Sequence, residues 1–219
     1  NMHPVLIAVI AITVIISLAG FQNVSVFEKY KFNVSAIKYK KEYIRLLSAG
    51  FLHADWGHLF FNMFTLYFFG PIVLEAFNIV GFILIYLGSI ILGNLFSLYL
   101  YQKQGWYSAI GASGGVSGIL FAAIAVYPMI GIGILFIPIP IKGYIFGALY
   151  FSYSVYMMLN PKPHDNIGHA AHLGGAAFGL VYAVVVEPEV AFSNIYFLGV
   201  MSLPLLYMAY QVFVKKRIG

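Results

Sequence analysis

Three polar clusters interrupt an otherwise apolar chain, and their residue types suit acyl-transfer chemistry. The first is Ala109-Ile110-Gly111-Ala112-Ser113-Gly114-Gly115-Val116-Ser117-Gly118, which sets Ser113 among small residues at the head of an apolar run. A hydroxyl at a helix start lies beside N–H groups that have no intrahelical partner. Those groups and the positive end of the helix dipole stabilise an anion. The second cluster is His58-Leu59-Phe60-Phe61-Asn62, whose i, i+4 spacing puts His58 and Asn62 on one helical face as two donors able to hold an oxyanion. The third runs from Gly168 to Gly179 and carries His172 at the head of a helix dense in small residues. A neutral imidazole within hydrogen-bond reach of a serine hydroxyl is the minimum apparatus for general-base activation of a nucleophile. Gly175 and Gly179 form a GxxxG face that lets backbones approach closely, as bringing His172 to Ser113 requires.

Each cluster also has a reading without chemistry. Ser113 suits an N-cap in a small-residue packing segment, and His58 with Asn62 suits a hydrogen-bonded helix pair. His172 can simply bond a neighbouring helix. His169, one turn earlier, reads as an interfacial or supporting residue, and Glu75 as a cap or loop anchor.

The elements that must position these groups follow from composition. With 62% hydrophobic and 9% charged residues and a mean hydropathy of +0.90, the 219 residues read as an all-α, polytopic membrane protein. Apolar blocks at residues 5–21, 58–76, 79–101, 113–126, 143–159, 169–186 and 191–214 give seven expected spans in one helical bundle. The opening Asn1-Met2-His3-Pro4 lacks a cationic region, so the first block is expected to be a retained span. The fourth block is short, so Ser113 is expected below the membrane surface at the floor of a water-accessible cavity. The block ends before Tyr127-Pro128, and the following residues 129–142, with Pro138 and Pro140, read as a hydrophobic connection and not a straight span. Residues 22–57 are too polar to span and too apolar for a free tether. They are expected to lie partly in the interface, with Phe27, Tyr30, Phe32, Tyr39 and Tyr43 at headgroup depth and lysines snorkelling outward.

Several classes are disfavoured. The net charge of +5 sits in loops flanking spans, which suits anionic lipid headgroups and not nucleic acid. There is no cysteine for disulfides or thiol catalysis. The six histidines lack an HExxH pattern or carboxylates within the spans, so no metal and no cofactor is expected. Two intramembrane aspartates, as an aspartyl protease needs, are missing. Gly111-Ala112-Ser113-Gly114-Gly115 also fits a G-x-S-x-G elbow, but the helical pattern offers no sheet to carry one. A transporter with two repeated halves of interrupted helices finds no support in the pattern.

In order and spacing, residues 42–179 resemble the rhomboid intramembrane serine proteases. The resemblance rests on the segment from Glu42 to His53, on His58-Leu59-Phe60-Phe61-Asn62 as an H-x-x-x-N, on Gly111-Ala112-Ser113-Gly114 as a G-x-S-G, and on Ala171-His172-Leu173-Gly174-Gly175. It implies a six-helix bundle with an additional C-terminal span: a single unit over residues 1–219, its core at about 1–187 and the extra span at about 191–214. It implies Ser113 as nucleophile and His172 as general base, with His58, Asn62 and the Ser113 backbone N–H stabilising the oxyanion. The implied substrates are transmembrane-helix proteins entering from the bilayer, and the implied location is a multi-pass protein of the plasma membrane. An inactive rhomboid-like binding module is the alternative. No oligomeric state is set. Two positions depart from the family pattern: Ile44 stands before Arg45 where a tryptophan is usual, and Ser117 stands where an aromatic often packs on the histidine. Orientation is contested as well. A topology with Ser113, His58 and His172 on one face puts eleven of the twelve Lys/Arg there, leaving Lys142 opposite. The positive-inside rule then assigns that face to the cytoplasm, whereas the resemblance implies the external or lumenal side.

Overall fold

Pro4 opens the first helix at a position where its missing N–H costs nothing, and His3 Nδ1 caps the turn by accepting from Val5 N at 3.2 Å. The computed structural model describes residues 1–134 and 136–217. In chain order the elements are α1 (Pro4–Gln22), α2 (Val24–Tyr30), β1 (Phe32–Asn33), α3 (Val34–Lys38), α4 (Arg45–Ser48), α5 (Trp56–Leu100), β2 (Ser108–Ala109) and α6 (Ser113–Val126). There follow β3 (Gly131–Ile132), β4 (Ile141–Lys142), α7 (Gly143–Leu159), α8 (His169–Val186), α9 (Pro188–Ser193) and α10 (Ile195–Ala209), with a 3-10 turn at Ala49–Phe51 and a π turn at Tyr210–Val214. The protein is helical and polytopic. Among the described residues four helices are long and apolar enough to cross a membrane: α1, α5, α8 and the continuous stretch Ile195–Val214.

At 45 residues, α5 is about twice the length a single span needs. It breaks at Asn78, whose φ of 58° and ψ of −173° leave the helical region. The Asn78 Oδ1 accepts from Val80 N at 2.9 Å and Gly81 N at 3.2 Å, capping the arm that follows. The arms, residues 56–77 and 79–100, correspond to the second and third expected spans.

The centre of the bundle is α6. Every residue from Gly114 to Ala125 is buried, enclosed by α5 and α8. Its 14 residues make a rod about 21 Å long. Glycines set how near its neighbours come: a Cβ on Gly175 would overlap the Gly114 carbonyl, and one on Gly179 the Gly118 carbonyl. On the other side a Cβ on Gly118 would collide with Ser89 Oγ. At the far end, within the expected connection, β3 pairs with β4 in a two-residue antiparallel ladder.

The expected seventh helix is interrupted. Asn194 leaves helical geometry between α9 and α10, and its Nδ2 donates to Ala125 O at 3.1 Å and Val126 O at 3.3 Å. Those carbonyls end α6 and have no intrahelical donor, so the break satisfies the end of the central helix.

Residues 23–55 form an ordered platform. Phe32, Val34, Ile37 and Ala49 make a small core of their own, and β1 pairs with β2 just before Ser113. Phe32 is therefore fully buried inside the loop and not at headgroup depth as expected, whereas Tyr39 and Tyr43 are exposed. Some lysines are also structural, since Lys31 pairs with Glu28 at 2.7 Å and Lys38 Nζ donates to Gln102 O at 3.2 Å. Arg45 ties the platform together: Nε meets Glu42 Oε2 at 2.6 Å, and Nη1 donates to Glu28 O at 2.7 Å and Lys31 O at 2.9 Å. The neighbouring Ile44 side chain is exposed. Truncation in Arg45→Ala strands two carbonyls that a charged donor now satisfies, at a cost of about 2 kcal/mol. Thermal unfolding in detergent is expected to fall by about 4–8 °C, with Ile44→Ala close to the parent; an unchanged Arg45→Ala midpoint would remove this role.

Candidate active site

One end of the bundle gathers the polar residues singled out from the sequence. Helix α6 begins at Ser113, and no side chain caps that end. Among the described residues no acceptor engages the Ser113 N–H, leaving a donor and the positive helix end beside the hydroxyl. From α8, His172 brings Nε2 to 2.6 Å from Ser113 Oγ. That distance depends on the glycine contacts between α6 and α8, because Gly175 lies one turn beyond His172 and Gly114 directly follows Ser113. With Nδ1 protonated, Nε2 holds a lone pair for the serine proton.

His58 enters from the first turn of α5, where Asp55 Oδ1 caps the helix by accepting from His58 N at 2.8 Å. Its ring and Ser113 flank Gly111. A Cβ built on Gly111 would stand 2.7 Å from His58 Cε1, 3.0 Å from His58 Nε2 and 3.7 Å from Ser113 Oγ. Gly111 also has φ +115°, a conformation in which side chains are strained. Glycine therefore supplies both the turn into α6 and open space between imidazole and hydroxyl.

Asn62 lies on the same face of α5 as His58, but its carboxamide is already engaged. Nδ2 lies 2.9 Å from Nε2 of His53, a residue to which sequence pattern alone assigns no role beyond closing a loop segment. His53 is completely buried and also meets Ser17 Oγ on α1 at 2.9 Å and Ala112 N at 3.3 Å. Burial, with His58 close by, holds the His53 imidazole down at about 3 against the opposing pull of Asp55, so it is neutral near pH 7. The only signal for it in the sequence is a histidine five residues before His58, in a segment with no helical periodicity to give it a face.

The other polar residues take supporting positions. His169 is buried and meets Asp165 Oδ2 at 2.7 Å, fastening the turn before α8; its ring lies 6.4 Å from that of His172. Ser117 Oγ is 3.0 Å from Tyr150 OH, so α7 brings an aromatic to the position where the chain has serine. Glu75 is exposed near the Asn78 break. Among the described residues no cluster of three His, Cys, Asp or Glu could hold a metal ion. Chemically, the arrangement offers a hydroxyl, an imidazole in hydrogen-bond contact with it, and a second imidazole across Gly111 from the hydroxyl.

Comparison with known proteins adds a family. Residues 40–189 match the Rhomboid domain, which is 150 of the 219 residues and takes in His53, His58, Asn62, Ser113 and His172. The chain is 28% identical over 155 residues to rhomboid protein 1, mitochondrial, of Saccharomyces cerevisiae, covering 67% of this chain and 43% of that protein. It is 30% identical over 152 residues to presenilin-associated rhomboid-like protein, mitochondrial, of Homo sapiens, covering 68% and 39%. With rhomboid-like protein 11, chloroplastic, of Arabidopsis thaliana it shares 30% over 152 residues, covering 63% and 50%. The chain thus spans half or less of the length of these relatives. Their names are organellar and give the plasma-membrane expectation no support. On the extent of the domain match, this multi-pass helical membrane protein belongs to the rhomboid family.

Proposed function

We propose that the protein is an intramembrane serine endopeptidase that cleaves membrane proteins in or near their transmembrane helices. The observation that carries this reading is the 2.6 Å contact between Ser113 Oγ and His172 Nε2 inside a rhomboid-family domain. Ser113 attacks the scissile carbonyl carbon while its proton passes to His172 Nε2. The tetrahedral intermediate collapses as His172 gives that proton to the leaving amine, producing an acyl-enzyme. Water then attacks the ester with His172 again as base, releasing the acid and restoring Ser113. His58, Asn62 and the Ser113 N–H carry the charge on the carbonyl oxygen. No cofactor or metal enters the scheme.

In this reading residues 1–219 form one unit, a six-helix rhomboid bundle over about 1–187 with a seventh helix at about 191–214. A 14-residue α6 is shorter than the ~30 Å hydrocarbon core, so Ser113 sits at the floor of a polar recess between longer helices. A substrate helix arrives from the lipid and unwinds there to offer its backbone. A binding module without chemistry would not require a hydroxyl and an imidazole in mutual contact.

The test is incubation of purified protein with a single-span substrate in detergent, with products identified by mass spectrometry. The parent is expected to cleave and Ser113→Ala to be inert; equal cleavage by both would overturn the nucleophile. His58→Ala and Asn62→Ala are each expected to lower turnover on the order of 100-fold with unchanged thermal unfolding. Full activity in both would remove them from the oxyanion hole.

A further inference from the structure

The hydrogen bonds around His53 admit one consistent assignment. Ala112 N lies 3.3 Å from His53 Nε2, and a backbone N–H can only donate, so that nitrogen carries a lone pair and the ring proton sits on Nδ1. Ser17 Oγ, 2.9 Å from Nδ1, accepts that proton and gives its own hydrogen to Phe51 O at 2.8 Å. Asn62, 2.9 Å from Nε2, must then present its NH2 and not its carbonyl. With the proton on Nε2 instead, the Ala112 N–H would face another N–H in a buried place, where a lost hydrogen bond is costly.

We propose that His53 is a positioning residue for the oxyanion site: it fixes the Asn62 carboxamide so that one N–H is held by the imidazole and the second is left for the reacting oxygen, and it tethers the Ala112 peptide that leads into Ser113. This rests on the protease reading above. His53 has no exposed surface, so it acts through its two donors. Ser17 makes the arrangement depend on α1, because that hydroxyl selects which ring nitrogen is protonated. A second tether supports the same turn, since Gly111 N donates to Ala49 O at 2.9 Å. The turn before the nucleophile is thus held by the platform through two successive N–H groups.

A purely structural role for His53 would lower stability and act independently of Asn62, so the test is a double-substitution cycle on kcat with the chain of residues 1–219. His53→Leu alone is expected to reduce kcat on the order of 30-fold with little change in KM. Placed in Asn62→Ala it is expected to cost no more than about threefold further, since residues acting as one unit are non-additive. His53→Gln, which keeps an acceptor for both donors, is expected to recover most of the rate. If His53→Leu does not fold, Ser17→Ala replaces it in the cycle, with a several-fold loss expected alone and almost none in Asn62→Ala. Costs that multiply in full, or no recovery with glutamine, overturn the positioning role while leaving the protease reading intact. A parent that shows no Ser113-dependent cleavage overturns the protease reading itself, and this proposal with it.

Discussion

The close approach of α6 and α8 is the constraint on which the rest depends. Small residues on facing helices let their backbones come into direct contact, and that contact fixes how a serine on one helix stands against a histidine on the other. Here Gly175 lies on the Gly114 carbonyl and Gly179 on that of Gly118, and the 2.6 Å contact of Ser113 with His172 follows at the open end of that seam. In a membrane the alternative surroundings of a helix are as apolar as its partner, so packing through small residues has to supply the attraction that the hydrophobic effect supplies in water. The same glycines that hold the bundle together therefore set the geometry of the dyad.

The second organising feature is the satisfaction of polar groups in an apolar interior. Where α6 ends, Asn194 breaks the last helix to donate to Ala125 and Val126. Where α6 begins, its preceding peptides bond Ala49 and His53, and among the described residues the Ser113 N–H, at the head of the first turn, engages no acceptor. The platform of residues 23–55 makes this possible: Arg45 closes it with three bonds and Ser17 on α1 orients His53. An uncapped helix start is costly when buried and useful when a reacting oxygen is to be bound there.

Much of this architecture is legible in the order of residues. Helix boundaries at 113–126, 143–159 and 169–186 follow from apolar runs cut by proline, glycine and polar turns, and coincide with α6, α7 and α8. The GxxxG face on α8 predicts the approach to α6 because glycine spacing is a direct statement about backbone distance. What is illegible has no period to reveal it. Phe32 reads as interfacial from its aromatic type, yet it is the centre of a small core whose other members, Val34, Ile37 and Ala49, lie up to seventeen residues further on. His53 is invisible as a hub because its partners come from α1, α5 and the turn before α6, and only tertiary contact brings Ser17, Asn62 and Ala112 together. Asn194, inside an apolar run, carries no local sign that it leaves the helix.

Reaction of Ser113 with a fluorophosphonate, read by peptide mass spectrometry in the parent and in His172→Ala, tests the central claim most directly, because it asks whether the contact between the two residues makes the hydroxyl nucleophilic. The account predicts a phosphonyl adduct on Ser113 in the parent and its loss, or a slowing of at least about 100-fold, in His172→Ala. Labelling of Ser113 at the same rate in both proteins, or labelling of a different residue in the parent, would contradict it.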